Sequence, residues 1–363
     1  MKSTLAISLA EVTQNIKPVD STWSVRAHTR LDRLTKPLGS LGDLEVIAER
    51  MVAIRQSESI SELKKMAYVF AADHGVTAEG VSAYPKEVTR QMVLNFLSNG
   101  AAINVLARLH GAELVVVDVG VDADFGSVPG LIDQKVRTGT RNMLHEPAMS
   151  ADEMNRALQV GLDMSESAHD KSCSLVAVGE MGIGNTTSAS AISAVLTRQP
   201  TALVTGKGTG LNPDGHMRKV RVIESVIERH FPDRANSPDP LDVLRSIGGL
   251  EIAAMMGLML GAARHRIAVI VDGFISTAAS ALAYGIEPRV KDYLFAAHAS
   301  EEPGHRFLLD FIGLKPILSL GMRLGEGTGA VLAMPIIESA IRLYSEMATF
   351  ASAGVSVARS RAS

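Results

Sequence analysis

Two carboxylates sit in Gly-rich segments that have no evident structural use for them. The stretch AVGEMGIGNTTSAS, Ala177–Ser190, has the G-x-x-x-x-G frame of a phosphate loop between Gly179 and Gly184. A triphosphate-binding loop would continue with Lys and then Ser or Thr. This one continues with Asn185 and Thr186, and it carries Glu180 near its start. Backbone N–H groups of such a turn can approach an anion closely, and hydroxyls at the following helix start either cap the helix or bind phosphate. The second segment, RLGEGTGAVLAMP, sets Glu326 between two glycines, with Met322, Leu324 and Val331 around it in sequence. If desolvated, that carboxylate is a base of raised pKa; if solvated, it is an ordinary loop Glu. Met322 and Leu324 read equally as plain core. Asp73-His74, in AADHGVTAEG, reads as a hydrogen-bonded strand end or as half of a metal site. No His-x-x-x-His, His-x-His or Cys cluster has metal-ligand spacing, so the sequence implies no dedicated metal site.

These segments need a scaffold that brings them to one edge. Five short apolar runs read as buried parallel strands: 66–72, 112–119, 174–178, 266–272 and 293–300. ALVTG, 202–206, is a weaker sixth. Helical patterns lie between them in 89–109, 151–169, 187–197 and 275–285. Alternating strands and helices predict an α/β fold, doubly wound around a mostly parallel sheet. In open sheets of this kind ligands bind beyond the carboxyl ends of the strands. Almost every strand here is followed by a Gly-rich polar turn, including GKGTGLNPDG with Gly208, Thr209 and Gly210. One such turn is only a turn; several on one edge argue for a site. Residues 1–60 and those after about 310 look helical, which predicts a small helical lobe of 1–60 and 311–363 beside a core domain of 61–310. PDRANSPDPLD, 232–242, is a short linker, and the tail from 351 is expected to fray.

The chain has 363 residues, 46% hydrophobic and 21% charged, enough for a sizeable core. A net charge of -3 and 4% aromatics argue against a nucleic-acid partner. The single cysteine, Cys173, reads as a buried small hydrophobe, and one cysteine fits a reducing, cytoplasmic location. No signal peptide is visible. IAAMMGLMLGAA, 252–263, is too short to span a bilayer, so no membrane association is expected; it reads as a buried helix, with a subunit interface favoured over the core.

TKPLGSLGDLE, AADHGVTAEGVSAYPKEVT, GEMGIGNTTSA, GKGTGL, GGLEIAAMMG, VDGFISTAAS, SEEPGH and LGMRLGEGTGAVLAMP together resemble the nicotinate-nucleotide:5,6-dimethylbenzimidazole phosphoribosyltransferases, from about residue 30 to 345. The resemblance implies a homodimer that needs no cofactor. It implies transfer of phosphoribose from nicotinate mononucleotide to 5,6-dimethylbenzimidazole, giving nicotinate and α-ribazole 5′-phosphate for the lower nucleotide loop of cobalamin. It assigns the catalytic base to Glu326. A monophosphate needs no triphosphate-gripping lysine, so Gly182, Gly184, Asn185, Thr186, Gly208, Thr209 and Gly210 become candidate nucleotide ligands, with Glu180 at the reaction centre. Ser82, Tyr84 and Gln91 are candidates to orient the acceptor ring, Met322 and Leu324 to wall it, and Ser300 and Glu301 to hold the nucleotide. Lys207 stands in GKGTG where the family commonly has arginine. Two other classes remain open on the residues alone. One is a magnesium-dependent enzyme using phosphoribosyl pyrophosphate, although Asp272 lacks the second acid that signature wants. The other is a nucleotide-binding module without turnover.

Overall fold

The computed structural model describes residues 8–60, 62–208, 210–233 and 237–356. Its centre is a seven-stranded, all-parallel sheet. The strands are β1 (Lys65–Ala72), β2 (Glu113–Gly120), β3 (Leu131–Asp133), β4 (Leu175–Met181), β5 (Ala268–Val271), β6 (Leu294–His298) and β7 (Pro316–Leu318), in the order β3-β2-β1-β4-β5-β6-β7. The chain winds outward from β1 in one direction and from β4 in the other, so the topological switch lies between β1 and β4. The register there sets Phe70 opposite Glu180. The central strands are buried on both faces, which is why they read as continuous apolar runs without alternation.

The five expected strands are present. The ALVTG segment is not a strand: Thr201–Val204 is a single helical turn that follows Pro200 and leaves Leu203 exposed. The edge strands β3 and β7 went unread because three residues carry no period. The 89–109 pattern is two helices, Glu87–Leu97 and Ala102–Leu109, interrupted at Asn99, whose φ is +62°, and Gly100. Taken as one stretch it has the length and apolarity to cross a bilayer, but neither helix alone does.

The apolar helix Leu250–Arg264 belongs to the core of this chain, not to a subunit interface. Leu250–Ala263 are all buried in the single chain. The helix packs against Ala151–Asp170 with backbone on backbone. A side chain at Gly257 would run into the Leu158 carbonyl, and one at Gly161 into that of Ala254. Cys173 is buried, its Sγ 3.3 Å from the Lys64 carbonyl.

The chain divides into two compact units. The first holds the residues up to Lys17 and Lys64–Ala333, and the second Pro18–Leu63 and the chain from Met334 on. These bounds differ from the expected 60/61 and 310/311. The 311–333 segment supplies β7 and the Glu326 loop to the sheet. The first helix is tied to the sheet unit, where Arg289 Nη2 donates to the Thr13 carbonyl and Tyr293 Oη to the Lys17 carbonyl. The second unit is built on the helices Ser21–Arg33 and Asp43–Arg55. Arg30 reaches the carbonyls of Tyr344 and Ser345, and a buried Lys36–Glu45 ion pair of 2.8 Å closes the turn between the two helices. The linker residues 234–236 and the tail from 357 lie outside the described residues.

Candidate active site

Glu180 and Glu326, 146 residues apart in sequence, are neighbours in the structure. Glycine makes this possible. A side chain at Gly179 would run into the Gly327 amide and the Glu326 carbonyl, so the bare backbone of β4 lets the 325–327 loop dock directly on it. A Cβ at Gly325 would lie 2.5 Å from Glu180 Oε1. The loop itself is unusual: Gly325, Glu326 and Gly327 have φ of +81°, +65° and +86°. Glu326 is the only non-glycine of the three, in a region that side chains other than Asn and Asp rarely adopt.

Asp272, at the end of β5, pins this loop. Its Oδ2 accepts the Gly327 N–H at 3.0 Å and its Oδ1 the Ala330 N–H at 2.9 Å. It thus serves as an acidic cap from a distant strand for the helix Thr328–Glu346. Asp272, Glu180 and Glu326 are 2%, 7% and 6% exposed, so the exposed-loop reading of Glu326 does not hold. Burial, with Asp272 beside it, pushes Glu326 up to about 7. Burial, then the charges of Glu251, Asp272 and Glu326, push Glu180 up to about 8 against the Asn185 amide. Burial raises Asp272 to about 7 despite its backbone donors. Glu326 Oε2 has no hydrogen-bond partner among the described residues. This is a desolvated acid cluster suited to a proton acceptor and to positive charge.

The Gly-rich turn after β4 leads straight into the helix Asn185–Thr197. Gly184, at φ +98°, is the N-cap, so Thr186 and Thr187 lie inside the first turn and neither is the cap. The Asn185 side chain points back and donates to Glu180 Oε2, which makes it a holder of that acid. Thr186 Oγ1 accepts from Lys219 Nζ at 2.8 Å. A Cβ at Gly208 would meet both Thr186 Oγ1 and Lys219 Nζ, at 3.0 and 3.2 Å, so Gly208 closes over this pair. Thr209 lies outside the described residues, and Gly210 is exposed.

Lys219 is the cation that the sequence reading missed. It is fully buried, and burial lowers it to about 8 although Glu302 pulls the other way. A buried ammonium, a hydroxyl and the N–H groups of a helix start make an anion site. Lys207 of the same turn is exposed. One signal was available: in the helix Pro213–His230 the buried positions include Gly215, Lys219, Val222, Ile223 and Val226, so this lysine lies on the apolar stripe.

After β6, Glu301 is exposed, while the neighbouring Glu302 is buried with its Oε2 lacking a hydrogen-bond partner among the described residues. The Ser300 N–H donates to His305 Nδ1 at 3.0 Å, and the opposite ring nitrogen lies 3.0 Å from Thr277 Oγ1. Burial lowers His305 to about 3, so the ring is neutral and holds the Ser300 backbone as an acceptor. Ser82 Oγ accepts the Tyr84 N–H, while Tyr84 and Leu324 are 53% and 56% exposed; Gln91 is exposed and Met322 half-buried. Met322 and Leu324 are therefore not core. Asp73-His74 is a hydrogen-bonded strand end: His74 lies 2.6 Å from Glu251 and 3.1 Å from Ser188 Oγ, and Asp73 accepts from Thr89 and from the Asp122 N–H.

A phosphoribosyltransferase family model matches residues 16–355. The nicotinate-nucleotide–dimethylbenzimidazole phosphoribosyltransferase of Geobacter metallireducens is 53% identical over 97% of this chain and 99% of its own. That of Geobacter sulfurreducens is 54% identical over 96% and 98%. Among solved structures, the crystal structure of the Thermus thermophilus protein of the same name superposes with a TM-score of 0.88, at 44% identity, over 93% of this chain and 100% of that one.

Proposed function

Since the chain belongs to the nicotinate-nucleotide–dimethylbenzimidazole phosphoribosyltransferase family, we propose that it moves phosphoribose from nicotinate mononucleotide to 5,6-dimethylbenzimidazole, with Glu326 as the base. The observation that carries the residue assignment is the buried Glu326 carboxylate, raised to about 7, beside Glu180 and with an oxygen that has no hydrogen-bond partner among the described residues.

The chemistry asks for what this site offers. The C1′–N bond of the donor breaks with its electron pair going to a cationic pyridinium nitrogen, which leaves neutral. No acid is needed at the leaving group. The acceptor's bare ring nitrogen attacks C1′, and its other nitrogen, N–H, becomes acidic as the new bond forms. Glu326 takes that proton, help worth roughly 10²- to 10⁴-fold in general-base catalysis. In its ionised form Glu180 stabilises positive charge developing on the ribose, an electrostatic contribution that a dry, prearranged site makes large, while Asp272 holds the Glu326 loop in place. Attack opposite the leaving group inverts C1′ from β to α, as in single-displacement glycosyl transfer.

Lys219, Thr186 and the start of the Asn185 helix take the 5′-phosphate, under Gly208, with Thr209 and Gly210 as further candidate ligands. Ser300, Glu301 and the buried Glu302 face the nucleotide. Ser82, Tyr84 and Gln91 orient the acceptor ring, with Met322 and Leu324 as its walls. A homodimer in the cytoplasm completes the proposal, and sedimentation at twice the chain mass is its check. The reaction is tested by mixing protein with both substrates without added metal. Nicotinate and an α-riboside phosphate should appear in equal amounts; a β-riboside, or no product, would refute the reading.

A further inference from the structure

The donor and acceptor sides meet through one buried hydroxyl. Thr89 lies in the first turn of the helix Glu87–Leu97, two residues before Gln91, and is fully buried. Its Oγ1 donates to Asp73 Oδ1 at 2.6 Å and accepts the Ile183 N–H at 3.1 Å. The other Asp73 oxygen accepts the Asp122 N–H at 2.8 Å. Three loops, those after β1, β2 and β4, are thereby tied to the helix that carries an acceptor-side residue. Outside, Lys86 and Asp122 repeat the tie as an exposed 2.5 Å ion pair, the weaker kind of link.

The position of Ile183 gives this tie its meaning. It lies between Gly182 and Gly184, in the turn that sets Glu180 and caps the Asn185 helix. The Asn185 and Thr187 amides are satisfied inside that turn, by the carbonyls of Gly182 and Gly184. The Ile183 amide instead goes outward, to a side chain of the acceptor-side helix. A hydroxyl has a single proton, and here it is committed to Asp73, so the lone pair facing Ile183 is fixed in direction. A buried amide needs a partner wherever it lies; this one finds it on the helix of Gln91, so the nucleotide turn and that helix are held by one bond.

Taking the proposed reaction as given, we infer that Thr89 is a positioning residue for it. Through Ile183 and Asp73 it holds the nucleotide turn at a fixed separation from the helix of Gln91. Its contribution is alignment, where small displacements cost large factors in rate. It does not touch phosphate, ribose or the acceptor ring. Its loss should therefore lower turnover with both substrates saturating, and leave nicotinate mononucleotide affinity almost unchanged.

The test compares Thr89→Val, which keeps the shape and removes the hydroxyl, with Thr89→Ser, which keeps the hydroxyl. The valine variant should turn over about 10- to 100-fold more slowly, bind nicotinate mononucleotide within about threefold of the intact protein, and be contrasted by a serine variant within about threefold of intact turnover. Valine turning over as fast as intact protein, or serine as slow as valine, would overturn the inference. A valine variant that does not fold leaves the decision to the intact protein. There, adding 5,6-dimethylbenzimidazole alone should slow hydrogen exchange in the 181–185 segment; unchanged exchange refutes the coupling. Product formation by intact protein is scored first. Its absence counts against the reaction itself, whereas intact turnover with an unimpaired valine variant counts against Thr89 alone.

Discussion

The two halves of the site are built to different standards. Among the residues proposed for the donor and for the base, Glu180, Asp272, Glu326, Lys219 and Glu302 are all buried, and the three clustered acids are held by a glycine contact, an amide or a backbone cap. Among the residues proposed for the acceptor ring, Tyr84, Gln91 and Leu324 stand in solvent, although the helix of Gln91 is itself tied inward through the buried Thr89. The difference follows from what each half must do. Charge development at C1′ demands fixed, desolvated groups, because their orientation is set before the reaction. A planar, mostly apolar ring demands only surfaces that close on it. We propose that the donor half is prearranged and that the acceptor half takes its final form with the ring in place.

The contrast is broken most severely at Glu326. Glu326→Gln should lower turnover by about 10²- to 10⁴-fold in a steady-state assay with both substrates saturating. The intact protein's kcat/KM should rise with pH through about 7, the value to which burial and Asp272 bring this carboxylate. The variant should lack that limb. The same raised values carry a stability signature. Glu326 at about 7 and Glu180 at about 8 keep protons in the folded chain that the unfolded chain releases near 4.5. Between those limits the folded state binds more protons, so stability falls as pH rises from about 5 to 8. Thermal melting across that range should show the fall in intact protein and a shallower one in Glu326→Gln.

A smaller effect is expected at the phosphate end. Lys219→Met removes a charged donor but keeps the buried stem. Loss of a hydrogen bond to a charged group costs about 1.5–3 kcal/mol, so nicotinate mononucleotide should bind roughly 10- to 150-fold more weakly by calorimetry, with the free base nicotinate, which lacks the phosphate, as an unaffected control. Because the lysine is lowered to about 8 by burial, its removal should not lower the melting temperature at pH 9.

The smallest effect belongs to the acceptor wall. Leu324→Ala, at a side chain already half in solvent, should change kcat/KM for 5,6-dimethylbenzimidazole by only a few-fold, less than the roughly 1–3 kcal/mol that a methylene-sized contact is worth in a closed apolar pocket. A loss near that of Glu326→Gln would show that the wall is as prearranged as the acid cluster, and would end the contrast.

Much of this was legible in the sequence, for reasons that also explain the gaps. Gly-flanked acids stand out because a loop that needs three successive residues at positive φ rarely admits a carboxylate without a use. The buried central strands announce themselves as apolar runs. Lys219 does not stand out in PDGHMRKVRVIE, where Arg218 and Arg221 point to solvent and only the helical phase distinguishes it. Asp272 looked like a failed metal-binding pair; its real partners, Gly327 and Ala330, are more than fifty residues away. Glu301 and Glu302 are one residue apart, and no pattern tells which is buried. Periodicity reports which face a residue occupies, and contacts between loops from different strands lie beyond it.

The left-handed backbone at Glu326 has a consequence for anyone who selects variants by heat. A side chain other than glycine in that conformation costs of order 1–3 kcal/mol, and the buried carboxylate adds repulsion from Asp272. Glycine at 326 relieves both. A library enriched only for survival at high temperature would drift toward Glu326→Gly, and the best-surviving molecules would be the ones that no longer make product.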